Sequence, residues 1–167
     1  NAVDEALAGH CTHITTIMHA DGTVTVHDNG RWIPVDKHPK TGKSALEMVF
    51  TMLHAGGKFE KSAYKISWGL HGVGASVVNA LADRLEVVVH KNGKMYKQRY
   101  ERWIPIGDVQ EIGETDKKGT SVTWLPDASI FETIEFIEAT ELARMKNGAY
   151  LTPGVTFTLV NEKTGLH

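Results

Sequence analysis

Cys11 is the only cysteine, so no disulfide can close within the chain. A reducing, cytoplasmic setting is the default expectation. No apolar run approaches the roughly 20 residues a membrane span needs, so no membrane is expected among the partners. A secretory leader is not expected. Charge of one sign is missing too: 18 Lys and Arg against 20 Asp and Glu leave a formal net charge of −2. A surface built mainly to grip DNA would be basic, so any DNA contact is expected outside this segment. Repeats, low-complexity stretches and linkers are absent, and no Ser-His-Asp set stands out. His10, Cys11 and His13 lie close together. No second ligand pair follows at zinc-like spacing, so a metal is not expected there.

What is present suits one globular domain: 167 residues, 41% hydrophobic and 23% charged. Asn1 to Gly9 reads as the end of a helix. Thr12 to His19 and Thr23 to Val26 read as strands around the hairpin signal Asp21-Gly22. Ser44 is placed to cap a helix through Leu53, with Glu47 completing a capping box. Lys58 to Trp68 has no strong period and reads as a loop or lid. Gly72 to Ala82 has helical spacing. Strands follow at Leu85–Val89, Met95–Tyr100, Val109–Ile112 and Thr120–Leu125, then a helix over Phe131–Lys146 and a strand at Val155–Val160. This order implies an α+β sandwich: a mainly antiparallel sheet with helices on one face. A doubly wound fold would need regular strand–helix alternation, which the chain lacks.

Three stretches carry chemistry. Gly69-Leu70-His71-Gly72-Val73-Gly74 opens a helix, where free backbone N–H groups and the positive helix end suit phosphate. A tight turn without ligand is the plain alternative. Asp28-Asn29-Gly30-Arg31 follows a strand. A carboxylate there can accept a hydrogen bond from an exocyclic amine, and the glycine admits a flat ring; an Asx turn is the plain alternative. Asn1, Asp4 and Glu5 share one end of a helix and can hold a hydrated Mg²⁺, or simply face solvent. Gly42-Lys43-Ser44 looks like the end of a P-loop, but Lys37 stands where the first glycine belongs, so it reads as a surface turn.

Together these segments, with Leu53-His54-Ala55-Gly56-Gly57-Lys58-Phe59 and Lys118-Gly119-Thr120, resemble the ATPase domain of bacterial type IIA topoisomerase B subunits, of the gyrase or topoisomerase IV kind. That family belongs to the GHKL superfamily with the Bergerat fold. The resemblance covers essentially the whole of 1–167 and implies a single ATP-binding domain whose N-terminal arm and C-terminal transducer lie outside this segment. It implies ATP and Mg²⁺ as ligands, with Asn1 on the metal. Asp28 would take the adenine amino group, helped by Thr120 through a water. Glu5 would pair with Arg31, and Ile33 and Pro34 would line the adenine edge. Gly57, Lys58 and Lys65 would lie on the lid near the phosphates, with Leu70, His71, Gly72, Val73 and Gly74 offering backbone N–H groups. The implied partners are an A subunit in an A2B2 heterotetramer, DNA, and a second copy of the B subunit on ATP binding. The family's hydrolytic glutamate falls one helical turn upstream of Asn1, so this segment alone is expected not to hydrolyse ATP. The implied activity of the parent is ATP-driven strand passage with supercoiling. Topoisomerase IV decatenation, or a GHKL module with an occluded site, is the alternative.

The chain departs from that pattern in places. Trp32, Trp68 and Trp103 stand where the family has glycine. Trp32 is expected to crowd the adenine wall and, if that glycine uses positive φ, to strain the backbone. Lys91 stands where an arginine is common at the pocket mouth. The helix near Ala143-Arg144-Met145 is one residue short.

Overall fold

The structure is a computed structural model that describes residues 1–52 and 73–167. Its strands are β1 (His13–Met18), β2 (Val24–Asp28), β3 (Ala82–Lys91), β4 (Lys94–Glu101), β5 (Ile104–Glu114), β6 (Gly119–Pro126) and β7 (Thr156–Asn161). The described helices are α1 (Ala2–Leu7), α2 (Ala45–Thr51), α3 (Gly74–Ala80) and α4 (Glu138–Leu151). The strands form one sheet in the order β5-β4-β3-β6-β2-β1-β7. Every neighbouring pair is antiparallel except β1 and β7. None of the described helices is long and apolar enough to cross a membrane.

Directly paired residues point to the same side of a sheet, which shows where the helices lie. Val26, Val122 and Val87 form one row across β2, β6 and β3. Val26 packs against Ala2 and Ala6 of α1, while Val87 and Val122 share a cluster with Leu46, Val49 and Phe50 of α2. Val24, two residues from Val26, sits in a cluster with Met145 of α4 packed against it. The described helices therefore share one face, as the sequence pattern implies. The other face carries a ladder of hydroxyls and imidazoles, with Thr25 bonded to Thr123 at 2.7 Å and His27 to Ser121 at 2.8 Å.

Several boundaries differ from the sequence reading. Ser44 caps α2 by accepting from Glu47 N–H at 3.0 Å, but Glu47 does not complete the box. Its carboxylate turns to Lys43 and to the buried Gln98. β5 is longer than expected and is interrupted by two register shifts. The largest difference is at 131–137, which is not helical; α4 starts at Glu138 and runs to Leu151. Asp127 accepts from Ser129 N–H and Oγ, and Ile130 and Phe131 N–H bond back to its carbonyl. That turn consumes the helix start, and β-branched Thr133, Ile134 and Ile137 do not favour resuming it. α4 buries none of its residues. Leu142 and Met145 share a stripe, but Leu151 falls half a turn away and is 71% exposed.

Among described non-glycine residues, positive φ occurs at Asn92, Arg102 and Trp103. Trp32 is not among them, so its backbone carries no strain of the kind expected. Its half-buried ring packs against the cluster of Ile33, Leu46 and Phe50. The strain falls at Trp103. Glu101 pairs with Ile104 across a two-residue hairpin, with φ of 44° at Arg102 and 77° at Trp103. That turn favours glycine, and a bulky side chain there costs about 1–3 kcal/mol. Trp103→Gly is therefore expected to raise stability by about 1–2 kcal/mol, seen as a Tm increase of a few degrees. An unchanged or lower Tm would show that the indole's packing outweighs the strain.

Candidate functional site

The site begins where β2 ends. Asp28 pairs with Thr120 of β6, which pairs with Val89 of β3. Asp28 and Thr120 are 3% and 1% exposed. After Asp28 the chain turns sharply, and Gly30 N–H donates to Asp28 Oδ1 at 2.9 Å. A Cβ at Gly30 would stand 2.9 Å from that oxygen and 3.0 Å from the Glu5 Cβ, so only glycine fits without displacing both carboxylates. Gly119, at φ 108°, crosses over the Asp28 backbone, where any Cβ would collide with the Asp28 carbonyl. That position requires glycine on both counts.

Asn29 fastens the turn. Its Oδ1 accepts from Thr12 and His13 N–H at 2.9 and 3.0 Å, and its Nδ2 donates to Thr12 Oγ1 at 2.9 Å. Glu5 of α1 is 4% exposed and faces Arg31. Arg31 N and Nε both donate to Glu5 Oε2 at 3.1 Å, and Nη2 donates to Oε1 at 3.0 Å. This charge-assisted fork pairs Glu5 within the fold.

Asp28 is treated differently. Burial pushes its carboxyl up, the Gly30 N–H bond pulls it down, and the Glu5 carboxylate pushes it up again, leaving it at about 6. A carboxylate kept buried with backbone donors is poised to accept from a ligand amine.

The other expected residues fall as follows. Asn1 stands at the N-cap of α1, exposed, and its side chain makes no capping bond. Ile33 is buried, and Pro34 C=O accepts from Leu46 N–H at 3.0 Å, which fixes the start of α2 against this wall. Val73 caps α3 and Gly74 opens it, with open space around the Gly74 Cβ position. Lys91 Nζ lies 3.1 Å from Asp36 Oδ2. Gly57, Lys58, Lys65, Leu70, His71 and Gly72 lie outside the described residues, as does Trp68. Cys11 is a core residue beside Ala2, Ala6 and Ile14; burial raises its thiol pKa, and its Sγ donates to His13 C=O. The fastening role of Asn29 is absent from the sequence reading, although an Asx residue after a strand end is the signal for it.

The family model for histidine kinase-, DNA gyrase B- and HSP90-like ATPases matches residues 1–130. The chain is 59% identical over 165 residues to the DNA gyrase B protein of Thermotoga maritima, covering 99% of this chain and 26% of that protein. It is 53% identical over 167 residues to the type 2 topoisomerase B protein of Aquifex aeolicus, covering 100% of this chain and 21% of that protein. Against the DNA gyrase B protein of Synechocystis it is 56% identical over 165 residues, covering 98% of this chain and 15% of that protein. It thus spans about a quarter or less of each of these relatives.

A pKa raised from 3.8 to about 6 means that the fold disfavours the charged form of Asp28. Its favourable contribution is complete below the unfolded pKa and is lost as pH rises through about 6. Asp28→Asn keeps the shape and an acceptor for Gly30 N–H but removes the charge. It should stabilise the ligand-free chain by about 1–3 kcal/mol at pH 7.5, with the gain vanishing as pH falls towards 4. Denaturant melts across that range check this; a loss of stability at pH 7.5 would contradict it.

Proposed function

Because this chain belongs to the family of histidine kinase-, DNA gyrase B- and HSP90-like ATPases, we propose that it is the ATP-binding part of a gyrase-like type IIA topoisomerase B subunit. The observation that carries the nucleotide reading is the buried Asp28 carboxylate, held at about 6 behind a glycine turn. A group that destabilises the empty fold is retained for what it does to a ligand.

In this reading Asp28 accepts the adenine N6 hydrogen, and Thr120 orders a water beside it. Ile33 and Pro34 wall the ring. The Glu5–Arg31 fork closes the floor and keeps a second buried charge from competing. Val73 and Gly74 offer backbone N–H groups on the phosphate side, and the resemblance assigns Leu70, His71 and Gly72 the same role and Gly57, Lys58 and Lys65 to the phosphates. Mg²⁺ fits Asn1: an exposed amide oxygen free of capping duty suits an ion held mostly by waters and phosphates. The ion would supply charge neutralisation on the phosphates.

For the parent, the resemblance together with the gyrase B names of its relatives supports the following reading. ATP binding would pair two copies of the B subunit, and the assembly with an A subunit would pass one DNA segment through another and supercoil it. A decatenating parent of the topoisomerase IV kind is the alternative, which the gyrase B relatives do not favour. Supercoiling of relaxed circular DNA by the parent with its A subunit, dependent on ATP, separates the two. Decatenation without supercoiling would favour the second.

For the segment itself, Asp28→Ala removes a charge-assisted hydrogen bond of about 1.5–3 kcal/mol. ATP affinity should fall by roughly ten- to a hundredfold, and GTP should bind poorly to both proteins. Equal ATP affinity by calorimetry would move the base site elsewhere.

A further inference from the structure

Asn79 is 1% exposed, and its Oδ1 is the one buried side-chain oxygen or nitrogen without a partner among the described residues. Its amide nitrogen explains why the residue is polar. Nδ2 donates to Phe50 C=O at 2.8 Å and reaches Trp103 C=O at 3.5 Å. Phe50 lies in the last turn of α2, where helix carbonyls have no partner of their own. Turning the amide over would set Oδ1 against the Phe50 carbonyl oxygen, so its orientation is fixed. The orphaned Oδ1 is the consequence. Leu, with the same branching at Cγ, would fill this place without burying an unpaired acceptor. A directional bond is therefore what the position supplies.

That bond joins two elements to which the nucleotide reading assigns different parts of the ligand. α2 is tied at its start to Pro34, through Leu46 N–H, and so to the wall assigned to the base. α3, which carries Asn79, opens at Gly74, on the side assigned to the phosphates. Phe50 also stacks on Tyr100 of β4, with ring centroids 5.8 Å apart, so the end of α2 is anchored to the sheet. Asn79 is the hydrogen bond between this anchored helix and α3.

We propose that Asn79 is a positioning residue that sets the phosphate side of the site at the correct distance from the base side. This rests on the nucleotide reading above. Asn79 touches no ligand; it acts through Phe50 and α3. Its loss would spare recognition of the base and weaken recognition of the phosphates.

ATP and adenosine titrated against the whole chain by calorimetry test this. Asn79→Leu should lower ATP affinity about tenfold, the size of one lost hydrogen bond, and change adenosine affinity less than twofold. Asn79→Asp keeps the size and polarity of the side chain but presents an oxygen to Phe50 C=O. It should show the same selective loss and serves if the leucine variant does not fold. A merely structural residue would lower both affinities together. Equal losses for the two ligands, or no loss for either, overturn the proposal. If the unaltered chain binds neither ligand, the nucleotide reading fails and this inference with it. If the unaltered chain binds ATP and Asp28→Ala does not, but the Asn79 variants lose both ligands equally, only this inference fails.

Discussion

The pairing of Asp28 with Thr120 across β2 and β6 is the constraint on which the rest of the site depends. It is closed from outside by Gly119, which crosses the Asp28 backbone so tightly that no side chain fits. The strands cannot slip by one residue without turning Asp28 to the opposite face of the sheet. On that face it would join Thr25, His27 and Ser121, in a polar ladder with no described helix above it. The register thus decides that the carboxylate is buried and raised to about 6, rather than solvated and ordinary.

Around this point the fold handles two carboxylates in opposite ways. Glu5 is paired with the guanidinium and backbone N–H of Arg31. Asp28 receives backbone donors and is left with a charge the empty protein would be better without. The two lie close enough that Gly30 has no room for a Cβ between them. One charge is structural; the other, in the reading proposed above, serves a ligand. Asn29 holds the turn between them to the start of β1.

Much of this is legible in the sequence, and the reasons are local. Strand alternation, the Asp21-Gly22 hairpin and the Ser44 cap are short-range signals, and the structure contains each. The lone Asp28 motif is ambiguous, because an Asx turn and an adenine anchor look alike until burial is known. Only the ordered set of segments favours the anchor over the turn. Burial depends on Thr120 and Gly119, some ninety residues away. What cannot be read depends on tertiary competition. Glu47 leaves its capping role because a buried Gln98 offers a better partner. The helix expected over Phe131–Lys146 begins only at Glu138, after a turn in which the Asp127 side chain takes Ser129 N–H and its carbonyl takes Ile130 and Phe131 N–H. Trp32 and Trp103 both stand where the resemblance implies glycine, yet only Trp103 meets positive φ, in the two-residue hairpin between Glu101 and Ile104.

The nucleotide site stands or falls most directly on the state of one carboxyl group. Carbon-13 NMR of the Asp28 side chain, followed through a pH titration with and without ATP, reads it without any substitution. In the empty chain the midpoint is expected near 6. Adding ATP should shift it markedly downward, because a donor on the ligand favours the charged form. A midpoint near 4, unmoved by nucleotide, would contradict the assignment of Asp28 as the buried anchor of the base.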